Sequence, residues 1–279
     1  MGAAAYHAHS AAAALLPLLI PTALLAAYFG AVAWQKRRTA AWGAWRTAGF
    51  AAGIGLLFAA LLPPVADWAH HDLRGHMVQH LLLGMFAPLG LVLGAPGTLA
   101  LRTLPAGGAR RIVALLAARP VRGLIHPVTA LVLDIGGMYL LYLTPLYALS
   151  LADPAVHLLV HVHFVLSGYL FAWAIAGPDP APARPGPWAR LAVLFLATAA
   201  HATLGKLMYA YGWPRGTPHD LEEIRAAAQL MYYGGDLAEL LLAVAFFATR
   251  FHARRPSASV AAAASGAVRH GIGEGGRGA

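Results

Sequence analysis

The sequence contains no cysteine among its 279 residues. This absence excludes disulfide bonds, thiolate metal sites, cysteine-ligated iron–sulfur clusters and covalently attached c-type haem. Any metal ion would therefore be bound by histidine, methionine, carboxylate or backbone groups.

Charged residues are scarce, at 11% of the chain, whereas 59% of the residues are hydrophobic and the mean hydropathy is +0.62. This balance is too apolar for an ordinary soluble domain. A transmembrane helix needs about 20 apolar residues, so seven such helices would use about half of the chain. The composition therefore predicts an all-α, polytopic membrane protein and excludes a large separate soluble domain.

Seven apolar runs are long enough to be transmembrane helices, and we predict that residues 1–255 form one transmembrane domain. The predicted spans are 12–34, 45–66, 76–95, 126–146, 156–176, 190–211 and 229–249. No Lys or Arg precedes the first run, so we expect it to remain as helix one rather than to be cleaved as a signal peptide. Residues 109–118 are expected to form a surface helix. Residues 256–279 are rich in Ala, Gly and Ser and are predicted to be a disordered tail.

The basic residues are concentrated in alternate connections between the predicted spans. Those that follow spans one, three, five and seven are Lys36, Arg37, Arg38, Arg46, Arg102, Arg110, Arg111, Arg119, Arg122, Arg184, Arg190, Arg250, Arg254, Arg255, Arg269 and Arg277. Because Lys and Arg are enriched in cytoplasmic loops, the N-terminus is predicted outside and the C-terminus inside. The net charge of +9 is therefore attributed to topology, and no nucleic-acid partner is predicted.

Most of the 14 histidines lie at the opposite, predicted outer, side. These are His7, His9, His70, His71, His76, His80, His157, His161, His163 and His219. Histidines that served only as interfacial residues would show no preference for one side. The asymmetry therefore favours a metal or cofactor site near the outer surface.

Two histidine pairs have the spacing of one helical turn. His76 and His80 begin the third predicted span, and His157 and His161 begin the fifth. Residues four apart lie on one face of a helix, about 6 Å apart along its axis, so each pair can bind one ion or pass it on. His201 lies near the middle of the sixth span. The alternative is that these rings cap helices or bind neighbouring carbonyl groups.

The ligand types available favour copper over zinc or calcium. Met77 lies one helical turn from His80, and histidine with methionine in the absence of cysteine suits copper, particularly Cu(I). Methionine is nevertheless a common packing residue. A copper site built from His76, His80, His157, His161, His201 and Met77 is therefore the leading hypothesis.

Three charged residues inside the last two spans are expected to support that site. Lys206 is predicted to pair with Asp236 or Glu239, because an unpaired charge in hydrocarbon is costly. The pair could be purely structural or could assist movement of the ion. Asp134 lies in the predicted cytoplasmic half of helix four and receives no role.

Two other functions remain open at this point. A b-type haem protein could use His80 and His161 as axial ligands from facing helices. A cation- or proton-coupled transporter could use Asp134, Lys206, Asp236 and Glu239. No nucleophile–base pair, phosphate loop or dinucleotide-binding motif indicates an enzyme.

Several short motifs, in this order and spacing, resemble those of CtaG-type cytochrome c oxidase assembly factors. They are MVQHLLL from Met77, GAP from Gly94, HP from His126, TPLY from Thr144, HVHFVLSG from His161 and GPDP from Gly177. The resemblance covers residues 75–180 well and the last two spans loosely.

The resemblance implies a seven-helix protein of the bacterial plasma (inner) membrane that is an assembly factor rather than an enzyme. Such proteins are needed to make an active haem–copper oxidase and help to load its copper. The implied partners are cytochrome c oxidase subunits and an extracytoplasmic copper carrier. His80 and His161 match the recurring histidine positions of the family, and His76 matches less closely.

The sequence departs from the family pattern at two places. Leu143 stands where a histidine is expected two residues before Pro145. The acidic and polar motif expected before helix seven is indistinct in residues 220–229. Both departures predict a distant branch with an altered ligand set.

Overall fold

The structure is a computed structural model that describes residues 2–38, 41–182 and 184–254, with side chains described between residues 17 and 251. The predicted tail, residues 256–279, lies outside the described residues. Within these ranges all regular secondary structure is helical, which confirms the predicted all-α class. The helices are α1 (Gly2–Arg37), α2 (Ala44–Leu61), α3 (Pro63–His71), α4 (Leu73–Leu81), a π-helical turn (Leu82–Phe86), α5 (Ala87–Leu93), α6 (Pro96–Thr103), α7 (Ala106–Ala117), α8 (Arg119–Leu124), α9 (Pro127–Tyr142), α10 (Leu146–Ala152), α11 (Pro154–Ala176), α12 (Pro187–Tyr211) and α13 (Leu221–Arg254).

Six of these segments are long and apolar enough to cross a membrane on their own. They are Pro17–Arg37, Ala44–Leu61, Leu73–Leu93, Pro154–Ala176, Pro187–Tyr211 and Leu221–Phe251. The pair α9 and α10 brings the number to seven if it forms one bent span. The chain is therefore a multi-pass membrane protein, while the orientation of its termini stays a prediction.

The fourth predicted span is not one straight helix. α9 ends at Tyr142 and α10 begins at Leu146, with a bend of 76° between them. Pro145 disfavours a helical conformation at Thr144, whose hydroxyl oxygen accepts a hydrogen bond from the Leu146 N–H at 3.2 Å. With 16 residues, α9 alone is about 24 Å long. It is therefore shorter than the hydrocarbon layer, and the bend brings α10 over its end.

The boundaries of the second and third predicted spans also differ in the structure. The second span ends at Leu61, because Pro63 and Pro64 begin a separate helix, α3. The third span begins at Leu73, where the Asp72 side chain accepts a hydrogen bond from the backbone of the first helical turn. The hydrogen-bonded Arg74 guanidinium holds the pKa of Asp72 well below its usual range.

The seventh helix begins eight residues earlier than predicted. Asp220 accepts a hydrogen bond from the Glu223 N–H at 2.8 Å, and Glu222 and Glu223 occupy the first turn of α13. Acidic residues at this position favour the start of a helix because they interact with its exposed N–H groups. Residues 221–228, which precede the predicted span, are therefore helical.

Glycines allow close contact between helices in the middle of the bundle. A Cβ atom on Gly168 in α11 would lie 1.8 Å from the carbonyl oxygen of Gly84 in the π-helical turn. A Cβ atom on Gly53 in α2 would lie 2.6 Å from the backbone of Leu91 in α5. These contacts require glycine, as do many close helix crossings in membranes. They fix the position of the third span between α2 and α11.

Large apolar side chains cover the outside of the bundle. Examples with a largely exposed side chain are Leu159, Leu166, Phe195, Tyr233 and Phe251. An apolar outer surface is unusual for a soluble protein and is what a hydrocarbon environment requires. α7 has no buried residue, as expected for the predicted surface helix.

One end of the bundle, here called the arginine end, is defined by Arg102, Asp179, Arg184 and Arg190. Asp179 is buried and accepts hydrogen bonds from the N–H of Gly97 (3.0 Å) and from the N–H and hydroxyl of Thr98 (both 2.6 Å), so it caps α6. Burial lowers the pKa of Arg184 to about 10, and its guanidinium donates to the carbonyls of Gly177 and Asp179. The predicted site histidines are at the other end.

Candidate functional site: a histidine cluster

The opposite end, here called the histidine end, is defined by His70, His76, His157, His161 and His219. His76 and His80 lie in the first two turns of α4 and are both 2% exposed. The Nε2 atom of His76 is 3.1 Å from the Tyr142 hydroxyl, and its Nδ1 atom has no hydrogen-bond partner. The predicted pair on one helix face is therefore buried together.

His80 lies deeper than His76 and makes no hydrogen bond with either ring nitrogen. Its ring packs against Phe164 of α11, with 4.3 Å between ring centroids. On another side it lies over Gly84, where a Cβ atom would be 3.4 Å from the ring. Tyr142 lies on a further side, with 6.1 Å between ring centroids, and His76, His161 and His201 are also within electrostatic range.

His201 of α12 is fully buried, at 0% exposure, and neither ring nitrogen has a hydrogen-bond partner. Its ring occupies the space above Gly235 of α13, because a Cβ atom there would lie 1.8 Å from His201 Cε1. Gly235 is therefore the residue that allows the ring to enter the bundle. The predicted position of His201 near mid-span is consistent with this depth.

A row of imidazole rings runs from the surface towards the buried cluster. The exposed His70 stacks on His157 with 5.0 Å between centroids, and His157 contacts His161 at 4.2 Å. His161 is in electrostatic range of His76 and His80. The two predicted pairs are thus brought together, and His70 is an additional member whose only sequence signal was its predicted outer position.

A polar network beside these rings was not predicted. Tyr142 and Tyr147 are fully buried, and the Tyr147 hydroxyl is 3.3 Å from His219 Nε2. His219 Nδ1 is 2.8 Å from Glu223, which also accepts a hydrogen bond from the N–H of Leu73. The network therefore ties α4, α10 and α13 together at the histidine end. The TPLY motif contained Tyr147 but gave no indication of its partner.

The two departures from the family pattern lie next to this network. Leu143 is at the break between α9 and α10 and directly follows Tyr142, which contacts His76. The first turn of α13 supplies Glu223. Tyr142 and Glu223 thus supply polar groups close to the two places where the sequence departs from the family pattern.

Met77 is buried in the hydrophobic core, at 0% exposure, together with Met208. In the described part of the chain neither sulfur has a hydrogen-bond partner, and both residues fit the packing alternative. His163 is turned away from the cluster, because its Nε2 atom is 3.0 Å from the Leu133 carbonyl oxygen.

The predicted ion pair of Lys206 is wrong. Lys206 is exposed and its ammonium group lies 5.5 Å from the centre of the Tyr232 ring. In the part of the chain that the structure describes, no salt bridge joins it to Asp236 or Glu239. Tyr232 precedes Asp236 by one helical turn and Glu239 by two, about 10.5 Å along the axis, and the ammonium group lies at Tyr232 rather than at either carboxylate. Both carboxyl oxygens of the buried Glu239 have no hydrogen-bond partner.

The cluster offers donors that fit copper, although it does not form a complete cage. No group of three or more His, Asp or Glu side chains in the described ranges is placed to hold a metal ion. The buried nitrogens without a partner are His76 Nδ1 and both nitrogens of His80 and His201. Neutral imidazole nitrogens are common copper ligands, so the donor chemistry fits an ion held by a pair of rings.

The packing around His80 disfavours the haem alternative. Phe164 lies against the ring, and just below it the backbones of Gly84 and Gly168 are in contact. A porphyrin between His80 and His161 would have to separate α11 from the third span at this crossing. The close contact of backbones therefore leaves no room for it in this arrangement.

Comparisons with known proteins agree with the motif order. The chain is 36% identical over 185 residues to an uncharacterised protein of Mycobacterium bovis. The aligned region covers 64% of this chain and 28% of that protein. An uncharacterised protein of Mycobacterium tuberculosis matches with the same values. A Mycobacterium leprae protein is 40% identical over 137 residues, 47% of this chain and 21% of the relative. The matched region thus spans less than a third of these relatives. No solved structure matches the chain.

A family profile matches residues 26–253, and it is described as cytochrome c oxidase caa3 assembly factor. The matched range includes all the histidines of the cluster. This match covers most of the chain and runs through the last two spans, which the motifs alone covered loosely. The chain therefore belongs to the Caa3_CtaG family of cytochrome c oxidase assembly factors.

Proposed function

We propose that this chain assists the assembly of a haem–copper cytochrome c oxidase by carrying copper at the histidine end, as a cargo ion rather than a resident cofactor. It would act in the bacterial plasma membrane, without being an enzyme. The implied partners are oxidase subunits and an extracytoplasmic copper carrier. Family membership supports the assembly role, and the buried imidazoles support the copper.

One observation carries the copper proposal: His80 and His201 are completely buried with four ring nitrogens that have no hydrogen-bond partner. Burying a polar group without a partner costs about 1–3 kcal/mol. An ion that binds one nitrogen of each ring would supply a partner for two of these four atoms and so offset part of that cost. The nearby free Nδ1 of His76 adds a further donor.

Two imidazoles would leave the ion incompletely coordinated. An ion with an open position can accept a ligand from the next carrier before it leaves the first, so it exchanges more readily than an ion in a closed thiolate site. The absence of cysteine from the chain is consistent with such weak, reversible binding of the ion. The oxidase copper site would then complete the coordination.

The row of rings from His70 through His157 to His161 supplies an access path. His70 is exposed, His157 and His161 are half-buried, and His80 is buried. The rings from His70 to His161 are in contact, so an ion can move inward as far as His161 by exchanging one imidazole for the next. The step from His161 to the buried rings would need the ion to cross a further gap. The path begins at the side that the charge distribution predicts to be outside.

Copper binding by the purified protein tests this proposal. We expect His80→Ala and His201→Ala each to weaken Cu(I) affinity by at least about 10–100-fold, measured by competition with a chromogenic chelator. His71→Ala is the matched control, because His71 is exposed and its Nδ1 atom is 2.8 Å from the Asp67 carbonyl oxygen. Wild-type affinity in both buried variants would refute the assignment.

A cellular experiment tests the assembly role separately. Deletion of the gene is expected to lower oxidase activity and the copper content of the oxidase, and added copper is expected to restore part of both. The His80→Ala gene should behave like the deletion, whereas the His71→Ala gene should restore activity. Normal oxidase copper in the deletion strain would contradict the role.

A further inference from the structure

A small cavity lies inside the bundle below the histidine cluster, between α9, α11, α13 and the π-helical turn. Its volume is about 20 Å³, enough for one water molecule or small ion. The side chains around it are Asp134, Glu239, Met85, Leu89, Phe171 and Leu242. Two carboxyl groups from different helices therefore face one mostly apolar space.

Neither carboxyl group is exposed to solvent at the protein surface. Asp134 is 6% exposed and accepts one hydrogen bond, from the Ser167 hydroxyl at 3.1 Å. Glu239 is 4% exposed, and both of its oxygens lack a hydrogen-bond partner, since the neighbouring Thr198 hydroxyl donates to the Leu194 carbonyl at 3.1 Å instead. A buried carboxyl group without a partner, aimed into a cavity, indicates that the cavity receives something with a positive charge or a proton.

The surrounding basic groups do not supply that charge. Lys206 lies over Tyr232, and the Arg190 guanidinium donates to the Ile175 carbonyl and lies over Phe246. His80 and His201 are above the cavity and do not line it. Asp236, the other charged group within electrostatic range of Glu239, adds negative charge.

Two carboxylates without a basic partner that line one apolar cavity cannot both remain ionised. Mg²⁺ and Ca²⁺ need six or more oxygen ligands, whereas this cavity is lined mainly by Leu, Met and Phe side chains. A proton needs no further ligand. We propose that Asp134 and Glu239 form a proton-binding site in the membrane-embedded part of the bundle, separate from the histidine end.

This site goes beyond the proposed function and does not depend on it. Its position joins α9, α11 and α13 directly below Gly84, the residue on which the His80 ring lies. Gain or loss of a proton there would change the charge at the centre of the bundle. The protein would therefore respond to protonation independently of its imidazoles.

Labelling with the apolar reagent dicyclohexylcarbodiimide tests for the proton. The reagent reacts with a protonated carboxyl group in an apolar environment: the carboxyl proton moves to one nitrogen while a carboxyl oxygen bonds to the central carbon. Migration of the acyl group to the second nitrogen gives a stable N-acylurea, and nothing is released. The protein mass therefore rises by one reagent molecule.

We expect wild-type protein at neutral pH to take up one label, mapped to Glu239, and the rate to fall as the pH rises. Glu239→Gln should lose the label, whereas the half-buried Asp236→Asn should retain it. Asp134→Asn should alter the pH dependence of labelling at Glu239. Absence of label at Glu239 in the wild type would overturn the proposal, as would protection by Na⁺ or Mg²⁺.

A second measurement uses only the wild-type protein, so it does not depend on whether a variant folds. The wild-type infrared spectrum at neutral pH should contain the carbonyl band of a protonated carboxylic acid, and this band should shift in D₂O. Its absence would also overturn the proposal. Copper stoichiometry on the same preparations reports on the histidines separately, so either proposal can fail without the other.

Discussion

At the scale of single residues, glycine determines where the buried imidazoles can lie. His80 rests on Gly84, and His201 fills the space above Gly235. A methyl group at Gly235 would overlap the His201 ring at 1.8 Å, and the ring cannot retreat because α12 and α13 pack closely. The positions of these two imidazole rings therefore depend on the glycines beside them.

We predict that Gly235→Ala weakens copper binding without removing a ligand. The new Cβ atom must displace the His201 ring, and such overpacking costs about 1–3 kcal/mol of stability. Cu(I) affinity should fall towards that of His201→Ala in the same chelator competition. Gly55→Ala is the control, since no atom lies within 4 Å of a Cβ atom there. Unchanged affinity in folded Gly235→Ala would show that the His201 ring is not a ligand.

Part of this site could be predicted from the sequence. The spacing of His76 and His80 placed both on one helix face, and the outer position of most histidines indicated a cluster. The partners of Tyr142, Glu223 and Asp134 could not be predicted, because they depend on how the helices rotate and cross. The predicted ion pair of Lys206 was wrong for the same reason. The sequence shows which charged residues lie inside a span, but not how far apart they lie along neighbouring helices.

At the scale of helices, apolar runs predicted the spans, and local chemistry decided where they end. Pro63, Pro64 and Pro145 ended helices inside two predicted runs, and Asp72 and Asp220 began helices before the apolar run starts. Hydropathy does not detect these signals because single residues produce them. The bend after α9 matters most, since it brings Tyr147 next to His76, with 4.8 Å between ring centroids.

The cap that Asp179 provides for α6 leads to a prediction about stability. Asp179→Ala leaves the N–H groups of Gly97 and Thr98 without their buried acceptor, at a cost of about 1–3 kcal/mol. Asp153→Ala removes an exposed cap, the acceptor of the Ala155 N–H at 2.8 Å, and should cost about 1 kcal/mol. Thermal unfolding in detergent, followed by circular dichroism, should therefore rank Asp179→Ala as less stable. The reverse order would contradict the structural role of Asp179.

At the scale of the whole molecule, the two ends of the bundle differ in chemistry. Arginines at one end lie over aromatic rings, such as Arg184 over Trp173 at 5.0 Å and Arg46 over Trp42 at 4.9 Å. The other end carries imidazoles, tyrosines and carboxylates. Lys and Arg are enriched in cytoplasmic loops, so the proposed copper path would open outside the cell.

Single-cysteine variants test this orientation directly, because the natural chain contains no cysteine. Pro218→Cys places a thiol in the exposed connection between α12 and α13, near the histidine end, and Gly107→Cys places one in the exposed start of α7. A membrane-impermeant maleimide should label Pro218→Cys in intact cells. It should label Gly107→Cys only after the cells are permeabilised, and the unmodified chain should remain unlabelled in both conditions.

The opposite labelling pattern would separate the two parts of the copper proposal. His80 and His201 would still offer their unpartnered nitrogens, so copper affinity and its loss in the alanine variants would be unaffected. The path through His70 and His157 would, however, open to the cytoplasm, and an extracytoplasmic carrier could not reach it. Copper would then have to be collected inside the cell, which makes the orientation of the bundle the deciding fact about the direction of transfer.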